Sequence, residues 1–129
     1  MTLQFVSARA AASPETGGEL GGTVLGAGAE AARPDWPVQR ISAPLPGSTA
    51  TVVAETWRAG TALAAGSSEG IAWRRAGDLL YGVVDLDEAA FAGDATCPPL
   101  QAASAEAYRR IFRLLDAQGL PHLWRVWNY

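Results

Sequence analysis

Pro98-Pro-Leu-Gln-Ala-Ala-Ser-Ala-Glu-Ala-Tyr-Arg-Arg-Ile-Phe-Arg-Leu-Leu-Asp116, followed by Gly119 and Pro121, decides the fold class of this chain. Leu100, Ala103, Ala107, Ile111, Leu114 and Leu115 recur at spacings of three and four, which places them on one helix face. Tyr108 and Phe112 widen that stripe. Pro98 and Pro99 suit a first turn, where backbone donors have no helical acceptor. Gly119 and Pro121 stop the helix. Glu106 lies one turn before Arg110, a pairing worth about 0.3–0.5 kcal/mol when exposed.

Upstream of the helix the pattern is that of strands. Thr51-Val-Val-Ala-Glu-Thr-Trp-Arg58 is a β-branched run. Gly70–Arg75 and Leu79–Leu86 flank Ala76-Gly77-Asp78, whose turn chemistry predicts an antiparallel hairpin. Val38–Leu45 reads as a strand closed by Pro44 and Pro46, and Gly60–Gly70 as a small-residue connection. Residues 1–35 read as weakly organised, with short strands at Leu3–Val6 and Thr23–Leu25 among Ala, Ser, Pro and Gly. The expected division is therefore 1–35 and a main domain over 36–129. Strands followed by one helix on a sheet face predict an α+β fold with a mostly antiparallel sheet.

Downstream of the helix, His122-Leu-Trp-Arg-Val-Trp-Asn-Tyr129 alternates with the two-residue period of a strand. Leu123, Arg125, Trp127 and Tyr129 share one face. An arginine among aromatics is costly to bury without an anion, supplied by the protein or by a ligand. An acidic residue inside the fold is the plainer partner for Arg125.

Composition narrows the function classes. The 129 residues suit one domain, and 49% apolar with 18% charged residues fit a globular chain. A net charge of -3 argues against sequence-independent nucleic-acid binding. All ten basic residues are arginine, which reflects coding bias more simply than function. The single Cys97 excludes an internal disulfide and a cysteine-rich metal site. With His122 as the only histidine, zinc hydrolysis and a Ser-His-Asp triad are poor fits. No signal peptide or membrane span is evident, so a cytoplasmic location is expected. No cofactor motif is present.

Other charged groups have plainer explanations. Asp85 and Asp87, with Glu88, resemble a carboxylate cluster for a metal or acid-base work, but a solvated strand end leading into a loop explains them more simply. Arg109, Arg110 and Arg113 read as a solvated helix face before a binding patch. The glycine pairs at Gly17-Gly18 and Gly21-Gly22 lack the lysine of a phosphate loop.

Three stretches together resemble the N-terminal part of the chorismatases: Gly77-Asp-Leu-Leu-Tyr-Gly-Val-Val-Asp-Leu-Asp-Glu88, Ala107-Tyr-Arg-Arg-Ile-Phe-Arg-Leu-Leu-Asp116 and Gly119-Leu-Pro-His-Leu-Trp-Arg-Val-Trp-Asn-Tyr129. The resemblance runs from about Val38 to Tyr129. More distantly, the order of elements is similar to the RidA/YjgF trimer fold (chorismate-mutase-like), here as a half that is incomplete at its C-terminus. The family hydrolyses chorismate to pyruvate and a cyclohexadiene carboxylate or a hydroxybenzoate. The resemblance implies substrate-binding roles for Arg125 and Tyr129, because an arginine fork holds a carboxylate bidentately. It assigns no catalytic residue, metal or cofactor here. The carboxylate that protonates the substrate ether lies near the C-terminus of full-length family members, so the chain alone is expected to be inactive. It then reads as part of a full enzyme, as a split half completed by another chain, or as a stand-alone relative. A stand-alone RidA-like module would bind small carboxylated ligands, self-associating as a trimer.

Overall fold

Val52–Ala59, the most β-branched run of the chain, becomes β4 and organises a four-stranded sheet in the computed structural model. The structure describes residues 2–9, 17–47 and 52–129; the Thr51 start of the expected strand lies outside them. The other strands of this sheet are β1 (Leu3–Arg9), β2 (Glu19–Gly26) and β3 (Val38–Ile41), in the order β1-β4-β2-β3. β4 runs antiparallel to both β1 and β2, and β3 runs parallel to β2. Residues on both sides of position 35 thus build one sheet. β2 holds three glycines and takes up a central position because its neighbours come so close. A Cβ at Gly22 would collide with the Glu55 carbonyl, and one at Gly21 with the Tyr81 ring.

β5 (Ala64–Ser68), β6 (Ile71–Ala76) and β7 (Leu79–Val83) form a second sheet in that order. The expected β6–β7 hairpin is present and antiparallel, with Gly77 at φ 57° in its two-residue turn. The last strand ends at Val83 rather than Leu86, and β3 ends at Ile41 rather than Leu45. β5 stands where a connection was expected. Its residues are Ala, Gly and Ser, whose composition carries little strand signal. The turn into β6 uses Glu69 at φ 57° and Gly70 at φ 72°, a pair of left-handed residues suited to a tight hairpin. Glu-Gly in place of Asn-Gly or Asp-Gly concealed it.

The described residues fall into two units: 1–66, 72–83 and 129 in the first, 67–71 and 84–128 in the second. In the first unit, Leu20, Ala59 and Ala76 form a core with Leu3, Trp57, Leu79 and Tyr81 packed around it. On the other face of β2, Val24, Ala29 and Trp36 form a second cluster.

The second unit contains α1 (Pro99–Ala117). Pro99 opens it, and Gly93 lets the preceding loop pass directly over the Pro99 ring. The C-terminus is a Schellman arrangement: Leu120 N–H donates to the Leu115 carbonyl at 2.9 Å and Gly119 N–H to that of Asp116 at 3.1 Å. Ala103, Leu114 and Leu120 are buried, whereas Leu100, Tyr108 and Phe112 from the expected stripe are exposed. The unit covers a narrower strip than the apolar pattern offers. Glu69 is tied to this helix by an ion pair with Arg113 at 2.9 Å. The chain is therefore α+β with antiparallel-rich sheets and one C-terminal helix. No helix is long and apolar enough to cross a membrane.

The expected strand at 122–129 is corrected: residues 120–129 carry no regular secondary structure. A strand exists only where a second strand completes its ladder of N–H and C=O groups. Among the described residues none pairs with this segment. Alternation marks which faces a strand would have, not whether a partner edge is there.

Candidate functional site

Polar groups are handled in two contrasting ways. In the first unit two arginines are held by protein oxygens, while Arg58 Nε and Trp73 Nε1 are buried with no hydrogen-bond partner among the described residues. Glu19, 3% exposed, stands opposite Arg58 in the β2–β4 register and holds its guanidinium at 3.0 Å. Arg74 on β6 donates to the Glu19 carbonyl at 2.9 Å and to the Asp35 carbonyl at 2.7 Å. It also pairs with the Asp35 carboxylate at 3.0 Å. These contacts tie the second sheet to the first. Their chemistry is structural, since both guanidinium groups already hold protein oxygens.

Tyr81 on β7 packs against Gly21 and shares a hydrogen bond with Thr23. Burial pushes its phenol above the ordinary tyrosine value; the Thr23 bond offsets part of this, and negative charge at Tyr129 adds to the rise. Tyr81 therefore stays protonated throughout the neutral range and can act as a donor. Tyr129 belongs to this unit and is 70% exposed, open to a ligand.

Arg125 belongs to the second unit. It is exposed, and its guanidinium lies 5.2 Å from the centroid of the Trp127 ring. A cation over an indole face gains about 0.5–1 kcal/mol at an exposed site, and this orients the side chain without neutralising it. Among the described residues no carboxylate pairs with Arg125. The internal ion pair expected as its plainer explanation is not found there. Trp124, 76% exposed, and Leu123 add apolar surface to the same segment.

The remaining charged groups follow the plainer readings. Glu106 holds Arg110 at 2.8 Å and Arg109 at 3.3 Å, and Arg113 lies 3.5 Å from it. The bond to Arg110, with those guanidinium charges, keeps the Glu106 carboxyl below its ordinary value despite partial desolvation. Asp87 accepts from the Ala89 N–H at 2.9 Å and so caps a 3-10 turn over Glu88–Ala90. No cluster of three potential metal ligands occurs among the described residues. Cys97 is half-buried, in a loop where Asp94 accepts from the Thr96 N–H, the Thr96 hydroxyl and the Cys97 N–H. Sequence reasoning missed the Glu19–Arg58 pair and the Tyr81–Thr23 bond. Both depend on strand register, which local patterns do not reveal.

By class, the structure is an antiparallel-rich α+β chain whose terminal segment carries an exposed arginine against an indole. Comparison with known proteins is more specific. The family described as "Chorismatase FkbO/Hyg5-like, N-terminal" matches residues 55–129, and the chain belongs to that family. A chorismatase of Streptomyces rapamycinicus is 37% identical over 76 residues, covering 59% of this chain and 20% of the relative. One of Streptomyces hygroscopicus is 37% identical over 75 residues, covering 58% and 20%. The chain thus spans about a fifth of the length of the curated relatives it matches. No solved structure matches. The matched region holds Arg58, Arg74, Tyr81, Arg125 and Tyr129, while Glu19, Thr23 and Asp35 precede it.

Proposed function

We propose that this chain is the N-terminal, cleft-forming part of a chorismatase-type hydrolase, which converts chorismate to pyruvate and a cyclohexadiene carboxylate or hydroxybenzoate. The observation that carries the reading is Arg125, an exposed guanidinium without a carboxylate partner among the described residues, inside the region matched by the family. A substrate with two carboxylates suits such a group. One bidentate, charge-assisted contact supplies about 1.5–3 kcal/mol. Tyr129 is, on the resemblance, the second and weaker candidate for contact with substrate. The fold is read as half of a RidA/YjgF-like unit acting in the cytoplasm.

Cleaving the enol-pyruvyl ether needs a proton delivered to it as the bond breaks. Such an acid must keep its proton near neutral pH, which calls for a carboxyl with a raised value. Among the described residues the carboxyls with a resolved shift, Glu30, Asp94 and Glu106, are all lowered. This supports assigning the proton donor to the C-terminal domain of the complete enzyme, supplied in one chain or by a complementary one. The purified chain mixed with chorismate is expected to release no pyruvate in a coupled lactate dehydrogenase assay. Sustained release from the chain alone would contradict the proposal. A stand-alone trimer in solution that ignores chorismate would favour a RidA-like binding module.

A further inference from the structure

Helix α1 carries two apolar strips. The first contains Ala103 and Leu114 and is buried. The second runs through Ala105, Tyr108, Phe112 and Leu115 to Gly119, at spacings of three, four, three and four. That is the pattern of a coiled-coil seam, with Ala105, Phe112 and Gly119 at a and Tyr108 and Leu115 at d. Phe112 is 50% exposed and Tyr108 37%, and their ring centroids lie 6.3 Å apart. Arg109 and Asp116 border the seam at its e positions, two turns and about 10.5 Å apart along one edge. Asp116 is exposed and has no ion pair among the described residues. Arg109 is also exposed and gives one terminal nitrogen to Glu106 at 3.3 Å.

These two charges discriminate between the ways a second α1 could lie on the seam. In a parallel pair each e position faces a g position of the other helix. Arg109 would then meet Ser104, and Asp116 would meet Ile111, so neither charge is matched. In an antiparallel pair e positions face one another. Setting Tyr108 beside Phe112 of the second copy brings Arg109 against its own counterpart, which repels it. A shift of one heptad sets Phe112 beside Leu115 and Arg109 beside Asp116 of the second copy. Two-fold symmetry makes each of these contacts twice. Tyr108 then meets Gly119 of the second copy, where no side chain obstructs the ring.

We infer that α1 is a self-association surface whose occupant is a second copy of this chain, paired antiparallel over residues 108–119. The same patch serves both subunits, so the assembly closes at two. Its core is the pair of Phe112–Leu115 layers, and the two Arg109–Asp116 contacts fix its direction and register. Four layers make a small interface, below the about 1,200 Å² typical of stable complexes, so the dimer forms reversibly at micromolar to millimolar protein. The seam lies wholly within the second unit and involves neither Arg125 nor chorismate.

The test is sedimentation equilibrium of the full chain across that concentration range, in low salt. A monomer–dimer equilibrium is expected. Arg109→Asp sets two carboxylates at each contact and should weaken dimerisation at least tenfold, as should Asp116→Arg, which sets two guanidinium groups there. Combining the two changes exchanges the charges and should restore the dimer to within threefold of wild type, which a merely structural role would not do. Arg125→Ala should dimerise as wild type, so failure here is distinct from failure of the chorismatase reading. A monomer throughout, a trimer, dimerisation unchanged in Arg109→Asp, or a combined variant as weak as either single one would overturn the inference. If Arg109→Asp does not fold, unchanged dimerisation in Asp116→Arg overturns it.

Discussion

Arg58 and Arg125 are the same residue type put to opposite uses. Arg58 is held across the β2–β4 register by a buried carboxylate, whereas Arg125 rests on an indole in solvent. The first arrangement spends the charge of the guanidinium on the fold. The second fixes where the guanidinium points and leaves its charge available. An arginine read from sequence becomes a ligand candidate only once its partners within the chain are known.

The largest effect expected from breaking this contrast is in the first unit. Arg58→Ala leaves the buried Glu19 without its partner and should cost about 3–5 kcal/mol, read as a lower urea midpoint. A cost under about 1 kcal/mol would mean that the pair is no more structural than a surface ion pair. Gly21→Ala should come next, at about 1–3 kcal/mol, because the added methyl meets the Tyr81 ring and the Pro37 carbonyl. Its loss of stability should appear together with increased Tyr81 exposure in near-ultraviolet circular dichroism; an unchanged melt would refute the close approach.

The helix face provides an intermediate case, with charges matched but exposed. The Glu106 carboxyl is held below the ordinary glutamate value of 4.5, so its folded form favours the ionised state. Its contribution is fully present above 4.5 and is lost as pH falls through the lowered folded value. Thermal melts of wild type and Glu106→Gln should therefore differ at pH 6 and converge towards pH 2. Curves separated equally at both pH values would exclude this ionisation as the cause. The smallest effect on folding is expected at Arg125. Arg125→Ala should leave the urea midpoint unchanged within error, and a loss above about 1 kcal/mol would reveal an internal partner.

What was legible in the sequence follows the range of the forces involved. β4, the β6–β7 hairpin and α1 announce themselves through β-branched runs, turn residues and a repeat of three and four, all local signals. β5 escaped notice because Ala, Gly and Ser carry no such signal, although Glu69-Gly70 is a two-residue turn once left-handed Glu is allowed. The segment at 122–129 was overread, since alternation cannot supply the partner edge a strand requires. Arg125 and Tyr129 were legible as residue types in an aromatic setting. The Glu19–Arg58 pair was not, because register between distant strands creates it.

The central claim is that Arg125 is available to a carboxylate ligand and that the matched arginines are not. It is tested most directly by calorimetric titration of chorismate into wild type, Arg125→Ala and Arg113→Ala, the last an exposed arginine already paired with Glu69. The account predicts that Arg125→Ala weakens binding at least tenfold, as expected for loss of about 1.5–3 kcal/mol, while Arg113→Ala binds as wild type. Equal affinity in all three proteins would contradict it.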